Sequence, residues 1–176
     1  MVRKNIKQKI KEYFFVNPTA KLRVRRIEKQ LNLPLPSVIK YCKELEKEGI
    51  LKRVEIGGVV FYTANRASEN FIIEKKLFNI YSLYNSGLVG FLRKELGNPT
   101  IVVFGSYASG EDIEKSDVDI YIETPSKKSI NTEKYEKIIK RRIHIFVYKH
   151  IHEIGNKELA NNIVNGVVLN GFLEVL

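Results

Sequence analysis

The chain has 176 residues, and its hydrophobic fraction of 44% is enough to build a buried core and too high for an intrinsically disordered protein. Its single cysteine, Cys42, excludes an intramolecular disulfide and a zinc site made from several thiolates. No run approaches the roughly 18 apolar residues of a membrane span, and the first residues lack the apolar core of a signal peptide. We therefore expect a cytoplasmic protein without a membrane segment.

The net charge of +10 is concentrated in one part of the chain. Residues 1–66 contain 16 lysines and arginines against 6 glutamates, whereas residues 67–176 contain 14 basic and 14 acidic residues. A positive surplus confined to one segment is typical of a nucleic-acid-binding region. The asymmetry predicts a basic domain at residues 1–66 and an electrically neutral part after it.

The spacing of apolar residues predicts three helices in the basic segment, the first ending before Pro18. The residues that define them, in chain order, are Ile6, Ile10, Tyr13 and Phe14, then Val24, Ile27 and Leu31, and then Val38, Cys42 and Leu45. Two β-rich runs follow, and Gly57-Gly58 between them suits the positive φ angles of a tight hairpin turn. We predict three helices followed by a β-hairpin.

This order of elements resembles a winged helix-turn-helix across residues 4–65. The resemblance implies that the third helix enters the major groove of DNA through its outward positions, Ser37, Lys40, Tyr41 and Glu44. The candidates for phosphate contacts are Arg23, Arg25, Arg26, Lys52 and Arg53. Two alternatives stay open: charges that only keep a small domain in solution, and a winged helix that docks onto a protein.

Residues 67–97 are predicted to form connecting helices. The apolar stripe of the first of them consists of Ile73, Leu77, Ile80 and Tyr84. A stripe this broad indicates either a core or a dimer interface, so a homodimer is one expectation. The second helix ends near Gly97 and Pro99.

The candidate chemistry follows a buried strand predicted from the apolar run at residues 100–104. Gly105-Ser106 comes next, and Asp117 and Asp119 follow after ten residues. Residues i and i+2 of an extended strand point to the same side, so these two carboxylates should lie together and attract a hard divalent ion such as Mg²⁺. Gly105 permits close approach of a phosphate, and Ser106 can donate hydrogen bonds to it.

The chain has only three aspartates, Asp112, Asp117 and Asp119, and all lie within eight residues. The alternative to a functional site is a surface turn followed by a strand whose acids are merely solvated. The joint occurrence of a buried strand, a Gly-Ser turn, a fixed spacing and a second strand favours a functional site.

The pattern G-S-x10-D-x-D between two hydrophobic strands resembles the signature of the DNA polymerase beta-type nucleotidyltransferases, especially their minimal prokaryotic forms. The resemblance extends over residues 88–176. It implies that Gly105 and Ser106 bind the triphosphate of ATP or another nucleoside triphosphate. It implies further that Asp117 and Asp119 bind Mg²⁺ or Mn²⁺, and that a third carboxylate lies on a later strand.

The later strand, predicted at residues 143–148, contains no acid, and His144 occupies the position of the third carboxylate. A neutral imidazole is a poor ligand for Mg²⁺ but can act as a base. A catalytic histidine and an ordinary histidine on a half-buried strand both stay open. Arg141 and Arg142 either offer charge to a phosphate or are solvated. The spacing of Leu159, Ile163 and Val167 predicts a last helix.

The predicted fold class is α/β (α+β), with an N-terminal winged helix-turn-helix and a small mixed-sheet nucleotidyltransferase-like domain at residues 98–176. The leading hypothesis is a metal-dependent nucleotidyltransferase. Because minimal members of the resembled family act on a protein hydroxyl in toxin–antitoxin pairs, the resemblance implies AMP transfer from ATP to a toxin-like partner protein, with the winged helix on DNA. The alternative is a transcriptional regulator or antitoxin whose degenerate transferase domain only binds nucleotide or mediates assembly.

Overall fold

A computed structural model of the chain describes residues 5–175. The first four residues of the predicted basic domain, and Leu176 at the other end, lie outside this range. The chain divides into two compact units between Phe78 and Asn79, a point inside the segment that we assigned to connecting helices. Within the described range, no helix is both long and apolar enough to cross a membrane.

The first unit has the predicted order of three helices and a hairpin. Its elements are α1 (Ile6–Val16), α2 (Val24–Leu31), α3 (Leu35–Lys47), β1 (Leu51–Ile56) and β2 (Val59–Ala64). The antiparallel strands join through Gly57 and Gly58, whose φ angles of 57° and 73° confirm the predicted turn. Leu22 adds an isolated antiparallel bridge to Tyr62.

The apolar stripes that predicted the three helices meet in one core. Its fully buried members include Ile10, Phe14, Ile27, Val38, Cys42 and Leu45. Each helix therefore buries the face that its spacing defines, which is the main source of stability for helices of this length.

A long helix, α4 (Glu69–Asn85), starts in the first unit and ends in the second. The elements that follow are α5 (Leu88–Glu95), β3 (Thr100–Phe104), α6 (Gly105–Ser109), β4 (Val118–Glu123), α7 (Glu133–Ile139), β5 (Ile143–Tyr148), α8 (Lys157–Val164) and β6 (Val167–Asn170). The four strands form one sheet in the order β5-β4-β3-β6. The β4–β5 pair is parallel and the other two pairs are antiparallel, so the predicted mixed sheet is confirmed.

The two faces of this sheet are covered by different apolar clusters. Val103 and Ile120 belong to the cluster that includes residues of α5 and α7. Phe104 and Tyr121 belong to a second cluster with Ile163 of α8. Both faces of β3 are therefore buried, as its continuous apolar run predicted.

The last predicted helix is shorter than its apolar spacing indicated. Helix α8 ends at Val164, and Val167 begins strand β6, which pairs with β3. Gly166 permits this change of direction, because a Cβ at that position would lie 2.6 Å from the carbonyl oxygen of Val103. The assignment of Val167 to a helix was wrong, since strand pairing overrides a short apolar periodicity.

The apolar stripe of α4 is largely exposed. Ile73, Leu77 and Tyr84 are 47%, 65% and 48% exposed, whereas Ile80, the fourth residue of the predicted stripe, is half-buried and packs against the apolar cluster of the second unit. The structure of the single chain therefore supports a role in a core at Ile80 and not at the other three positions.

Candidate active site

Three neighbouring strands bring Gly105, Asp119 and His144 together. Phe104, the last residue of β3, pairs with Asp119 of β4, and Asp119 pairs with His144 of β5. Gly105 follows Phe104 directly, at the start of α6. Residues that are remote in sequence therefore occupy adjacent positions at one end of the sheet.

Gly105 combines an unusual backbone conformation with a close approach to Asp119. Its φ angle is +71°, a region that residues with a side chain rarely adopt. A Cβ at this position would lie 3.0 Å from Asp119 Oδ2. Both observations explain why the position between the strand and α6 is occupied by glycine.

Ser106 is exposed beside this glycine. Its carbonyl oxygen accepts hydrogen bonds from the backbone N–H groups of Glu111 (2.9 Å) and Asp112 (3.1 Å) and from the hydroxyl of Ser109 (3.1 Å). Its own hydroxyl has no hydrogen-bond partner among residues 5–175, so it is available to a ligand.

The two carboxylates predicted to act together differ in their surroundings. Asp117 is exposed and lies one residue before β4, whereas Asp119 lies within β4 and is half-buried. Burial raises the pKa of Asp119, the negative charge of Asp117 raises it further, and His144 opposes both effects. A cation at this place would offset the repulsion between the two carboxylates.

His144 lies where the sequence predicted the third acid. Its Nδ1 is 3.5 Å from Asp119 Oδ1, and its side chain is 61% exposed. The imidazole also packs against Phe146, with ring centroids 4.3 Å apart. His144 is therefore accessible on the edge strand of the sheet and close to Asp119.

Carboxylate oxygens at this end of the sheet are the available metal ligands. Residues 5–175 contain no group of three or more His, Cys, Asp or Glu side chains placed to hold a metal ion. Asp117 and Asp119 could still hold a hard divalent ion that takes its other ligands from water and from a phosphate, as Mg²⁺ commonly does.

The third aspartate of the cluster, Asp112, lies apart from the other two. Its buried carboxylate accepts hydrogen bonds from Asn79 Nδ2 at 2.7 Å and from Arg141 Nη2 at 3.2 Å. Arg141 was expected either to offer its charge to a phosphate or to be solvated. Neither role is observed, because its guanidinium is buried in this ion pair. Sequence reasoning missed Asn79, whose only signal was an amide side chain in the middle of an apolar helix.

A groove of about 600 Å³ opens beside Asp117, a volume within the range of small-molecule sites. It lies between the segment before β4 and helix α7 with the turn that follows. The charged residues that line it include Lys115, Lys137, Lys140 and Arg142 and also Glu114, Asp117, Glu133 and Glu136. The groove is therefore of mixed charge, and Arg142 is an exposed part of its wall.

The four residues of α3 that were predicted to contact DNA differ in their exposure. Lys40 is exposed, but Ser37, Tyr41 and Glu44 are half-buried. Glu44 Oε2 lies 3.5 Å from Lys7 Nζ on α1. The exposed positions of α3 are Pro36, Ile39, Lys40, Lys43 and Lys47, most of them opposite the buried stripe of this helix.

The candidate phosphate contacts are all exposed, but they differ in their partners. Arg25, Arg26 and Lys52 are exposed without an ion pair among the residues that the structure describes. Arg23 lies over the ring of Phe61, 5.3 Å from its centroid. Arg53 is ion-paired with Glu46 at 2.7 Å, which compensates part of its charge.

Residues 86–169 match the family model described as "Nucleotidyltransferase domain". The matched region contains the four strands β3 to β6, except for the last residue of β6. It also contains the candidate site residues Gly105, Ser106, Asp117 and Asp119. No curated protein and no solved structure matches the chain. Residues 86–169, in the second unit of this chain, are therefore similar to a nucleotidyltransferase domain.

Proposed function

We propose that the chain transfers a nucleotidyl group from a nucleoside triphosphate, expected to be ATP, to an acceptor hydroxyl. The single observation that carries the proposal is the close approach of Gly105 to Asp119: a Cβ on Gly105 would lie 3.0 Å from Asp119 Oδ2. Both residues lie at one end of the sheet, in the region that matches the nucleotidyltransferase model. Gly105 leaves room for a phosphate, and the exposed hydroxyl of Ser106 can donate to its oxygens.

Asp117 and Asp119 are the proposed ligands of Mg²⁺ or Mn²⁺. Two carboxylates and a triphosphate repel one another, and burial already raises the pKa of Asp119. A bound divalent ion supplies charge neutralisation for the phosphates. The donor set, with only oxygen atoms from the aspartates, fits a hard ion.

The first unit is proposed to bind DNA as a winged helix. The order of three helices and a hairpin and the concentration of positive charge before residue 67 support this role. Among the exposed residues of α3, the candidate contacts are Lys40, which the sequence predicted, and also Lys43 and Lys47. The proposal that the acceptor is a toxin-like partner protein rests on the resemblance to minimal nucleotidyltransferases. The exposed apolar residues of α4 support a homodimer.

A second candidate function is a regulator whose transferase domain binds nucleotide without turning it over. One observation favours it: within residues 5–175 no third acid joins Asp117 and Asp119, and His144 stands in its place. In this case the domain would respond to nucleotide while the basic unit binds DNA.

The decisive experiment compares ATP binding, measured by calorimetry with and without Mg²⁺, in the wild-type protein and in the Asp117→Asn/Asp119→Asn variant. We expect Mg²⁺-dependent binding that the variant loses. A control that removes two exposed carboxylates elsewhere, Glu158→Gln/Glu174→Gln, should bind as the wild type does. Unchanged affinity in the aspartate variant would remove the case for a metal site.

Turnover separates the two functions. ATP labelled at its α-phosphate should pass label to macromolecules of a cell extract and release pyrophosphate if the chain is a transferase. Tight Mg²⁺-dependent binding without either product would favour the regulator.

A further inference from the structure

We propose that the buried ion pair between Asp112 and Arg141, together with Asn79, positions the segments that carry the candidate active site. This inference rests on the proposed nucleotidyl transfer for its functional consequence, but its geometry is independent of it. In this role Asp112 and Arg141 touch neither substrate nor metal; they are positioning residues.

The pair is shielded from solvent. The side chains of Asp112 and Arg141 are 0% and 4% exposed, and their nearest charged atoms are 3.2 Å apart. The other oxygen of Asp112 accepts the 2.7 Å hydrogen bond from Asn79 Nδ2. Asp112 is thus anchored through both oxygens, while its neighbour Glu111 and the nearby Asp117 are exposed.

Asp112 links the Ser106 turn to this anchor. Its backbone N–H donates to the carbonyl oxygen of Ser106 at 3.1 Å, directly after Gly105. Asn79 reinforces the link, because the same amide group that contacts Asp112 also donates to the carbonyl oxygen of Tyr107 at 2.9 Å. The start of α6 is therefore held from two sides.

Arg141 links the anchor to the two strands that carry Asp119 and His144. It precedes Arg142, whose carbonyl oxygen accepts a 2.8 Å hydrogen bond from the N–H of Val118. Val118 lies between Asp117 and Asp119, so the beginnings of β4 and β5 meet at this bond. One buried pair thereby joins the three segments that contribute to the site.

Stability alone does not account for such a pair. Replacing both members of a buried ion pair by apolar residues is often neutral or stabilising, whereas removing one member leaves an isolated buried charge and is strongly destabilising. This difference provides a way to separate folding from positioning. The double replacement removes both charges of the pair but also removes the link between the segments.

The test uses the full chain with three variants: Asp112→Leu, Asp112→Leu/Arg141→Met, and the exposed control Glu158→Gln. We measure the free energy of unfolding by denaturant and the affinity for ATP with Mg²⁺ by calorimetry. The single variant should be strongly destabilised, and the double variant should recover most of the lost stability. Its ATP affinity should stay about 10- to 100-fold below wild type, the usual effect of removing a partner that orients metal ligands.

The outcome that overturns the proposal is recovery of ATP affinity together with stability in the double variant. The control should match the wild type in both measurements. Should the double variant fail to fold, Asn79→Ala, which keeps the ion pair, should weaken ATP binding in the same direction, and unchanged binding would refute the positioning role.

A second readout does not depend on nucleotide. NMR should show a changed imidazole chemical shift for His144 and faster amide exchange across residues 113–117 in the double variant. If the wild-type protein binds no ATP, the proposed function fails while these signals still decide the positioning role. Unchanged His144 shift and unchanged exchange would then refute it.

Discussion

Replacing Gly105 by alanine should impair the candidate site much more than it impairs folding. Two effects act at this position: the backbone has a φ angle of +71°, and the new Cβ would lie 3.0 Å from Asp119 Oδ2. The first effect acts on the folded state as strain. The second acts on the carboxylate proposed to bind metal.

The expected magnitudes follow from this geometry. A left-handed backbone conformation costs a residue with a side chain about 1–2 kcal/mol. The contact with Asp119 adds little to the free energy of unfolding, because this side chain is 30% exposed and its carboxylate can rotate away. That rotation, however, moves a metal ligand, so affinity for ATP with Mg²⁺ should fall by roughly 10- to 100-fold.

Gly97→Ala is a matched control. Gly97 has a φ angle of +73°, and nothing lies within 4 Å of the position of its Cβ. It should therefore suffer the same backbone strain without touching Asp119. Denaturant unfolding of both variants and calorimetry with ATP and Mg²⁺ compare the two effects.

The result that would refute the reasoning is equal ATP affinity in the Gly105→Ala and Gly97→Ala variants. It would mean that the approach of Gly105 to Asp119 plays no part in binding. A Gly105→Ala variant as stable as wild type would refute the assigned backbone strain.

Further predictions concern single side chains. Because burial raises the pKa of Asp119, the contribution of this carboxyl group to stability is greatest at pH values below about 3.8 and is lost as the pH rises through the folded-state pKa. At pH 7 without divalent ions, the Asp119→Asn variant should therefore unfold at a temperature no lower than that of the wild type. A lower unfolding temperature would contradict the raised pKa of Asp119. If His144 only fills the place of an acid, His144→Asp should raise nucleotidyl transfer with Mg²⁺ and His144→Ala should change it little; if it is the base, both should lower the rate. Burial raises the pKa of Cys42 to about 12, so iodoacetamide at pH 8 should label it only with denaturant, and rapid labelling of the native protein would disagree with the structure. Lys40→Ala should weaken DNA binding and reduce the slope of log affinity against log salt by about 0.9, whereas an unchanged slope would place this lysine outside the interface.

Local sequence patterns determined the order of elements in the first unit. The apolar spacing of α1, α2 and α3 reports which face of each helix is buried, and a face is defined within a few turns of chain. The hairpin turn at Gly57-Gly58 is equally local, because it depends on the φ angles of two residues.

The same holds for part of the candidate site. Gly105, Ser106, Asp117 and Asp119 lie in one short stretch, and their spacing between two hydrophobic strands led to the nucleotidyltransferase resemblance that the family match over residues 86–169 supports. Alternation along a strand also predicts which face of β5 carries His144, whereas the pairing of His144 with Asp119 is a contact between two strands.

Long-range packing decided what the local patterns could not. The four-residue strand β6 continues an apolar spacing that also suits a helix, and only its pairing with β3 assigns it to the sheet. On α3, the half-buried state of Tyr41 and Glu44 depends on neighbouring elements and not on the periodicity of α3 itself.

Asp112 shows most clearly what only the tertiary structure decided. By sequence it belongs with Asp117 and Asp119, since all three lie within eight residues. In the folded chain its carboxylate is buried with Asn79 and Arg141, which are 33 and 29 positions away. Burying a charge requires a partner that compensates it, and only tertiary packing brings such a partner from distant segments of the chain.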